Sequence, residues 1–193
     1  MLGGTFDPPH LGHLIVAGEA RAQLGLDRVV LVPAGLPPHK PSGPTLSAEL
    51  RLRLLAAAVR GEPGLTVSRV EIDRPGPSYT ADTLEAIAAG EPGAGIWFIL
   101  GADQLVKLPT WRDPERILAA ARLAIAPRAG VSDVEAEALA ATIAPGGVDL
   151  LASPLIGISS SMVRERMAAG RPIRWLVPPA VEAVLREEGL VAS

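Results

Sequence analysis

The residues with the clearest chemistry lie at the start of the chain, in Gly3-Gly4-Thr5-Phe6-Asp7-Pro8-Pro9-His10-Leu11-Gly12-His13. The paired glycines let a ligand approach the main chain closely, because they carry no side chain. A helix that begins near Leu11 would add free N–H groups and the positive end of its dipole. His10 and His13 can each donate to a phosphate oxygen. We interpret the segment as a phosphate-binding loop rather than a tight turn with two surface histidines.

A second candidate is Lys40, which stands in the proline-rich segment Leu36-Pro37-Pro38-His39-Lys40-Pro41. It is one of only two lysines in a chain whose other cationic side chains are arginines. A compact, mobile ammonium suits a phosphate charge that moves during a reaction, and the prolines favour its presentation to a ligand. The alternative is an exposed basic residue in a loop.

The three histidines of the chain, His10, His13 and His39, also leave open a zinc site that activates water. The glycines and Lys40 beside them fit a phosphate better than a cation, so no residue is assigned as a metal ligand. The chain has no cysteine, which excludes disulfides, thiolate catalysis and cysteine-based zinc sites.

Near the C-terminus, Ile158-Ser159-Ser160-Ser161-Met162-Val163-Arg164 combines three hydroxyls with a cation. Serines in front of a helical pattern are typical N-caps, but three in a row exceed what capping requires. With Arg164 one turn into the helix, hydroxyls, N–H groups and a guanidinium could converge on one anion. Capping and anion binding are compatible interpretations of this segment.

Two aromatic residues are expected in loops, where a planar ligand could stack on them. Tyr79, the only tyrosine, lies in Ser78-Tyr79-Thr80, and Trp111 lies in Leu108-Pro109-Thr110-Trp111. Asp103 follows a predicted strand end and a glycine. It could therefore accept hydrogen bonds from ribose hydroxyls or cap a helix.

A scaffold must position these segments, and the hydrophobic pattern alternates short β-branched runs with longer helical ones. Strands are predicted over Arg28–Pro33, Leu65–Ile72, Gly95–Leu100, Leu123–Ala126 and Val148–Ala152. Helices are predicted over His13–Leu24, Ala48–Val59, Ala81–Ala89, Pro114–Ala121, Asp133–Thr142, Ser160–Ala169 and Pro179–Glu187. This order indicates an α/β fold, a Rossmann-like open parallel sheet with helices on both faces and ligands beyond the carboxyl ends of the strands. We expect a single domain over residues 1–193.

The first strand is the exception to this scheme. The glycine loop should follow a strand, but only Met1 and Leu2 precede Gly3, whereas about five residues are usual. The first strand is therefore expected to be truncated, unless the recorded start lies several residues too late.

Composition limits the classes of protein that remain. The 193 residues are 48% hydrophobic and 20% charged, which is typical of a globular protein. The net charge of −3 argues against a protein that coats nucleic acid. No apolar run approaches the ~18 residues that span a membrane, and no charged leader opens the chain, so a cytoplasmic location is expected. The motifs of P-loop, dinucleotide-binding and serine-hydrolase proteins are absent.

Taken in order, these segments resemble the motifs of bacterial nicotinate-nucleotide adenylyltransferases, within the nucleotidyltransferase superfamily marked by His-x-Gly-His. The resemblance covers nearly the whole chain, in Gly3–His13, Pro38–Lys40, Ser78–Thr80, Gly101–Asp103, Leu108–Trp111 and Ile158–Arg164. The Ser-Tyr-Thr and Leu-Pro-Thr-Trp segments are its specific part. One departure is Ala126-Pro127-Arg128-Ala129-Gly130, where the family tends to have Arg-Pro-Gly, which leaves the role of Arg128 open.

The resemblance implies adenylyl transfer from ATP to nicotinate mononucleotide, which gives deamido-NAD and pyrophosphate, with Mg²⁺ as the cofactor. It implies catalytic roles for His10, His13, Lys40 and Arg164. The residues implied to bind ATP are Gly3, Gly4, Thr5, Phe6, Gly101, Asp103, Ile158, Ser159 and Ser160. Those implied to bind the pyridine nucleotide are Tyr79, Thr80 and Trp111, where a carboxylate favours nicotinate over nicotinamide. The oligomeric state stays open.

Three other functions stay open at this point. Pantetheine-phosphate adenylyltransferase is the nearest enzymatic rival, which Ser78–Thr80 and Trp111 disfavour. A non-catalytic nucleotide-binding protein that has lost its first strand is the second, and a zinc hydrolase built on the three histidines is the third.

Overall fold

The computed structural model describes residues 1–38 and 43–191. Within these ranges the strands are β1 Leu2–Gly4, β2 Val29–Pro33, β3 Leu65–Val67, β4 Trp97–Gly101, β5 Arg122–Ala126 and β6 Val148–Leu150. The helices are α1 Leu11–Gln23, α2 Ala48–Ala58, α3 Thr80–Gly90, α4 Ala102–Leu105, α5 Pro114–Ala120, α6 Asp133–Ile143, α7 Ser160–Ala168 and α8 Pro179–Glu187, with a 3-10 turn at Leu108–Thr110.

The strands form one parallel sheet in the order β3-β2-β1-β4-β5-β6. Alternate residues of a strand point to opposite faces of the sheet. Phe98 and Leu100 of β4 therefore pack with α3 to α6 on one face, whereas Ile99 packs with α1 and α2 on the other. The prediction of a Rossmann-like open parallel sheet covered on both faces is confirmed.

The short first strand lies at the centre of this sheet. The three residues of β1 pair with β2 through Leu2 and Leu31 and with β4 through Leu2 and Ile99. Met1 extends the main-chain pairing, since its carbonyl accepts the Ile99 N–H at 2.9 Å. The first strand is short, as the sequence predicts, and its glycines open the phosphate loop.

The third strand is shorter than predicted. The sequence favours a strand to Ile72, but β3 ends at Val67. The Ser68 N–H makes one more bond to the Leu31 carbonyl, and the Arg69 carbonyl then accepts the N–H of Ile72 at 2.8 Å. The chain turns at Arg69, so Val70 packs against the core from a turn and not from a strand.

The helix α8 belongs to a third apolar cluster, in which it packs against α2 and α7. Arg53 of α2 adds exposed ion pairs to Glu187 and Glu188. None of the helices in residues 1–38 and 43–191 combines the length and apolar character that crossing a membrane requires.

Candidate active site

A cavity of about 680 Å³ opens at the carboxyl ends of the strands. Because parallel strands end at the same edge of a sheet, the loops that follow them converge there. Most of the predicted site residues line this cavity, namely Gly3, Gly4, Thr5, Phe6, His10, His13, Tyr79, Thr80, Gly101, Asp103, Trp111, Ser159 and Ser160. Ile158 packs instead against the apolar cluster of α2, α7 and α8. Lys40 and His39 lie outside the described residues.

Phe6 shapes the phosphate loop from within. Its φ of 50° is in the left-handed region, which costs a bulky residue about 1–3 kcal/mol. Burial of its ring, which is 1% exposed, offsets this strain. The ring meets the imidazole of His13 edge-on, with 4.7 Å between centroids. The buried phenyl ring therefore holds the backbone turn of the loop and packs against one side of the His13 imidazole.

The two histidines form a stacked pair at the start of α1. Their ring centroids are 3.7 Å apart with an interplanar angle of 27°. The main-chain N–H of His10 donates to Nδ1 of His13 at 3.1 Å. Since Nδ1 of His13 accepts this bond, its proton lies on Nε2, and the ring can offer that N–H to a phosphate oxygen.

Both imidazoles are neutral at physiological pH. Burial, with a smaller contribution from Arg128, lowers the pKa of His10 to about 4. Burial also lowers the pKa of His13 well below its ordinary range, and the neighbouring His10 and Arg128 lower it further. Neutral imidazoles can donate hydrogen bonds but add no positive charge to the cavity.

Gly12 makes the close approach of the rings possible. A Cβ atom at this position would lie 3.0 Å from Cγ2 of Ile156 and 3.1 Å from Cε1 and Nδ1 of His10. These distances are tighter than ordinary packing allows, so a larger residue would displace His10.

Asp7 of the phosphate loop has a buried side chain that anchors the loop. Its carboxylate accepts the N–H groups of Thr45 and Leu46, each at 2.9 Å. The Asp7–Pro8 peptide bond is cis. The carboxylate therefore ties the phosphate loop to the segment that follows residues 39–42.

Ser160 and Arg164 hold the phosphate loop from behind. The Ser160 hydroxyl donates to the Pro8 carbonyl at 2.9 Å, and a guanidinium N–H of Arg164 donates to the Asp7 carbonyl at 2.6 Å. A second contact joins Arg164 to the Asp7 carboxylate at 3.5 Å. The Ser159 hydroxyl accepts the Met162 N–H at 3.2 Å and caps α7. The serine segment thus caps a helix and also supports the loop.

Just beyond the carboxyl end of β4, Asp103 lines the cavity. Nε2 of Gln104 donates to its Oδ2 at 2.5 Å, whereas its Oδ1 is buried without a hydrogen bond among the described residues. Gly101, not Asp103, is the N-cap of α4. The helix-cap interpretation of Asp103 is therefore wrong, because the helix begins two residues earlier than capping would need.

Arg128, whose role the sequence leaves open, lies on the same wall. Its Nε is 3.6 Å from Oδ1 of Asp103, and its charge acts on both histidines. A Cβ at Gly101 would come within 2.5 Å of that oxygen and 3.0 Å of Cγ of Arg128. Because Gly101 has no side chain, Asp103 and Arg128 can lie close together beside the end of β4.

Tyr79 and Trp111 border the other end of the cavity. Tyr79 is the N-cap residue of α3 and makes no side-chain cap, so within the described structure the first N–H groups of that helix have no capping side chain. The guanidinium of Arg112 lies over the Tyr79 ring, 4.3 Å from its centroid. The ring of Trp111 lies 6.1 Å from that of Phe98. Arg112 therefore covers one face of the Tyr79 ring that the sequence suggests for stacking.

Comparisons with known proteins identify this arrangement. The family model described as Cytidylyltransferase-like matches residues 1–166. A Thermus thermophilus protein, "Probable nicotinate-nucleotide adenylyltransferase", is 43% identical over 190 residues, which cover 98% of this chain and 97% of that protein. A Thermomicrobium roseum protein of the same name is 42% identical over 192 residues, covering 98% and 89%. The chain belongs to the nicotinate-nucleotide adenylyltransferase family.

Solved structures share the fold of this family member. The Plasmodium falciparum nicotinic acid mononucleotide adenylyltransferase complexed with NaAD matches with a TM-score of 0.81 and 18% identity, over 98% of this chain and 94% of that chain. A putative nicotinate-nucleotide adenylyltransferase from Vibrio parahaemolyticus matches with a TM-score of 0.68 and 22% identity, over 98% and 91%.

Several residues at or near the site of this adenylyltransferase-family protein are not part of any sequence motif. Arg112 directly follows Trp111, but no motif distinguishes it from other exposed arginines, and Arg128 is marked only as a departure from the family's Arg-Pro-Gly. Arg51 and Glu71 are buried charges outside the recognised segments. Among the described residues no group of three or more histidines and acids is arranged to hold a metal ion. His39, the third histidine of the zinc hypothesis, lies outside those residues.

Proposed function

We propose that this protein transfers the adenylyl group of ATP to nicotinate mononucleotide, releasing pyrophosphate and forming deamido-NAD. The observation that carries the proposal is the meeting of a phosphate loop, a neutral histidine pair and an aromatic pocket in one cavity of about 680 Å³. Relatives with the name "Probable nicotinate-nucleotide adenylyltransferase", which match over 89% and 97% of their length, support the same conclusion.

The reaction needs positioning and charge stabilisation more than a protein nucleophile. A phosphate oxygen of the mononucleotide attacks the α-phosphorus of ATP, and a new P–O–P link forms. The bond from the α-phosphorus to the oxygen that bridges to the β-phosphorus breaks, and its electrons leave with pyrophosphate. The Nε2–H of His13 would donate to the α-phosphate oxygens, where negative charge must be stabilised in the transition state.

The donor nucleotide would lie along the β1 and β4 ends of the cavity. Asp103, whose Oδ1 makes no hydrogen bond among the described residues and lies 3.6 Å from Nε of Arg128, would accept hydrogen bonds from ribose hydroxyls. Arg128 offers a cation between this end and the histidines. In this proposal Ser160 and Arg164 act on the phosphates through the loop they support, and Lys40 would meet the charge of the departing pyrophosphate.

The mononucleotide acceptor would lie at the Tyr79 end of the cavity. The charges at this end favour the acceptor whose pyridine ring carries a carboxylate. The α3 N-terminus at Thr80 favours an anion, and the Arg112 guanidinium adds a full positive charge over Tyr79. Nicotinate carries a carboxylate and nicotinamide does not. Trp111 would bound the pyridine ring, so the proposal includes a preference for nicotinate mononucleotide.

Mg²⁺ fits this site as a companion of ATP. The described residues hold no cluster of three acidic or histidine ligands, and Mg²⁺ commonly binds through substrate phosphates, waters and only one or two carboxylates. The residues of the phosphate loop would hold the phosphates that carry it. When bound, the ion would neutralise charge on the triphosphate.

The decisive experiment measures pyrophosphate release from ATP with nicotinate mononucleotide, nicotinamide mononucleotide or 4′-phosphopantetheine as the acceptor. We expect the highest kcat/KM with nicotinate mononucleotide, and no turnover once chelator removes Mg²⁺. Turnover with 4′-phosphopantetheine alone would identify the rival transferase. ATP binding without turnover on any acceptor would identify a non-catalytic nucleotide-binding protein.

A further inference from the structure

A buried arginine lies beneath the cavity, outside every segment that the sequence motifs mark. Arg51 of α2 is 1% exposed and is among the largest fully buried side chains of the described structure. A buried guanidinium is costly unless its N–H groups and its charge are satisfied. The hydrogen-bond acceptors and carboxylates around Arg51 therefore indicate which segments this side chain holds together.

The Arg51 side chain binds main-chain oxygens from separate segments. Its Nη1 donates to the Thr5 carbonyl at 2.7 Å, in the phosphate loop. Its Nε donates to the Leu46 carbonyl at 3.2 Å, just before α2, and its Nη2 to the Gly35 carbonyl at 3.4 Å, after β2. One rigid planar group thus spans the phosphate loop and the loop that follows β2.

The Gly35 contact continues to the acceptor end of the cavity. The Gly35 N–H donates to the Ser78 hydroxyl at 3.1 Å, and the Ser78 N–H donates to the Leu36 carbonyl at 2.9 Å. Ser78 directly precedes Tyr79, the N-cap of α3. The loop is closely packed as well, because a Cβ at Gly35 would lie 2.3 Å from the Glu71 carbonyl oxygen.

Two buried carboxylates compensate the charge of this arginine. Asp7 and Glu71 are 1% and 8% exposed, and their charges raise the pKa of Arg51 against the larger lowering by burial. Asp7 belongs to the phosphate loop, whereas Glu71 accepts the Thr83 hydroxyl of α3 at 2.8 Å. The charges that hold Arg51 in place therefore come from the phosphate loop and from a residue bonded to α3.

We propose that Arg51 is a positioning residue that sets the distance between the ATP phosphates and the acceptor phosphate. The proposal rests on the adenylyl transfer proposed above. Arg51 reaches neither substrate itself; it acts through the Thr5 and Gly35 carbonyls. A displacement of about 1 Å between reacting groups can lower a rate by roughly a hundredfold, while each substrate still finds its own half of the site.

The test compares two arginines of the same helix. Arg51→Lys keeps the charge but cannot bridge the carbonyls, and Arg53→Lys makes the same change at an exposed residue that pairs with Glu187 and Glu188. We expect Arg51→Lys to lower kcat about 30-fold to 100-fold, with the dissociation constants of ATP and acceptor, measured separately by calorimetry, within about threefold of wild type. Arg53→Lys should leave all three quantities unchanged.

An unchanged kcat in Arg51→Lys, or a loss that resides in substrate affinity, would overturn the positioning role. Circular dichroism and assays well below the melting temperature separate the effect from unfolding. If the Arg51 variant does not fold, Ser78→Ala tests the link from its other end, and the same loss of kcat with retained affinities is expected. Wild-type protein that releases no pyrophosphate would refute the proposed function instead.

Where both variants fold, their combination is a further check. Because Arg51 and Ser78 are proposed to act through one link at Gly35, their effects on kcat should overlap in the double variant. Fully additive effects would contradict the link.

Discussion

Nδ1 of His13 accepts the main-chain N–H of His10 at 3.1 Å, and the two rings stack with 3.7 Å between their centroids. This bond assigns the proton of His13 to Nε2, the nitrogen left to meet a ligand. Burial keeps the ring neutral. The pair is thus a preorganised donor that needs no change of protonation at neutral pH.

His13→Ala should therefore lower turnover far more than ATP affinity. A donor aimed at charge that develops in the transition state contributes roughly a hundredfold to the rate. We expect kcat for pyrophosphate release to fall by about that factor, and the ATP dissociation constant to change by less than about threefold. Equal losses in both quantities would contradict a transition-state role for His13.

The same pair predicts a loss of stability in acid. The folded pKa of His10 is about 4, below the ordinary value near 6.5, so the unfolded chain binds the extra proton first. The neutral His10 side chain therefore makes its full contribution to the free energy of unfolding above about pH 6.5. This contribution is lost as the pH falls toward 4, and by pH 5 the free energy of unfolding is lower by roughly 2 kcal/mol. Urea unfolding at pH 7 and pH 5 measures this. His10→Gln should show a smaller pH dependence; the same dependence as wild type would refute the assignment.

Arg112→Gln should weaken selection of the acidic acceptor. The guanidinium over Tyr79 adds a charge that a nicotinate carboxylate can use and a nicotinamide cannot. We expect the ratio of kcat/KM for the two mononucleotides to fall about tenfold, equivalent to ~1.4 kcal/mol. Arg60→Gln, at an exposed arginine after α2, makes the same charge change as a control. A uniform loss with both acceptors would assign Arg112 a purely structural role.

Trp111→Ala should raise the KM of the acceptor while kcat and the KM of ATP change little. The indole borders the acceptor end of the cavity and lies near Phe98. Loss of an aromatic surface against a planar ring corresponds to roughly a 3-fold to 10-fold rise in KM. Steady-state kinetics with each substrate varied in turn provide the measurement. An acceptor KM like that of wild type would count against stacking at Trp111.

Two glycine substitutions should change stability in opposite directions. Gly35→Ala forces a Cβ to within 2.3 Å of the Glu71 carbonyl oxygen, so the backbone must move at a cost of about 1–3 kcal/mol. Gly18 lies within α1 and a Cβ there meets nothing within 4 Å. Gly18→Ala should therefore stabilise the protein by about 0.5–1 kcal/mol. Denaturant unfolding measures the free energy of unfolding of both variants. A Gly35→Ala variant as stable as wild type would show that the loop that follows β2 is less constrained than its contacts indicate.

The sequence by itself determined the class of fold, and most of the site residues that it predicts line the cavity. Short apolar runs between amphipathic segments specify a parallel sheet with helices, because hydrophobic periodicity is local. The His-x-Gly-His, Ser-Tyr-Thr and Ile-Ser-Ser-Ser segments could be read as site segments, because each carries its polar groups close together in sequence.

Only the tertiary structure decided what lies between those segments. Arg51 shares the helical spacing of the buried Leu54, Leu55 and Ala58, so its position on the buried face could have been recognised. The carbonyls it binds come from segments up to 46 residues away, and no local pattern encodes such a meeting. The same holds for Arg164 on the Asp7 carbonyl, 157 residues apart. The local sequence determines which polar side chains the site contains. Their distances and orientations are determined by the packing of loops that are distant in sequence at one edge of the sheet.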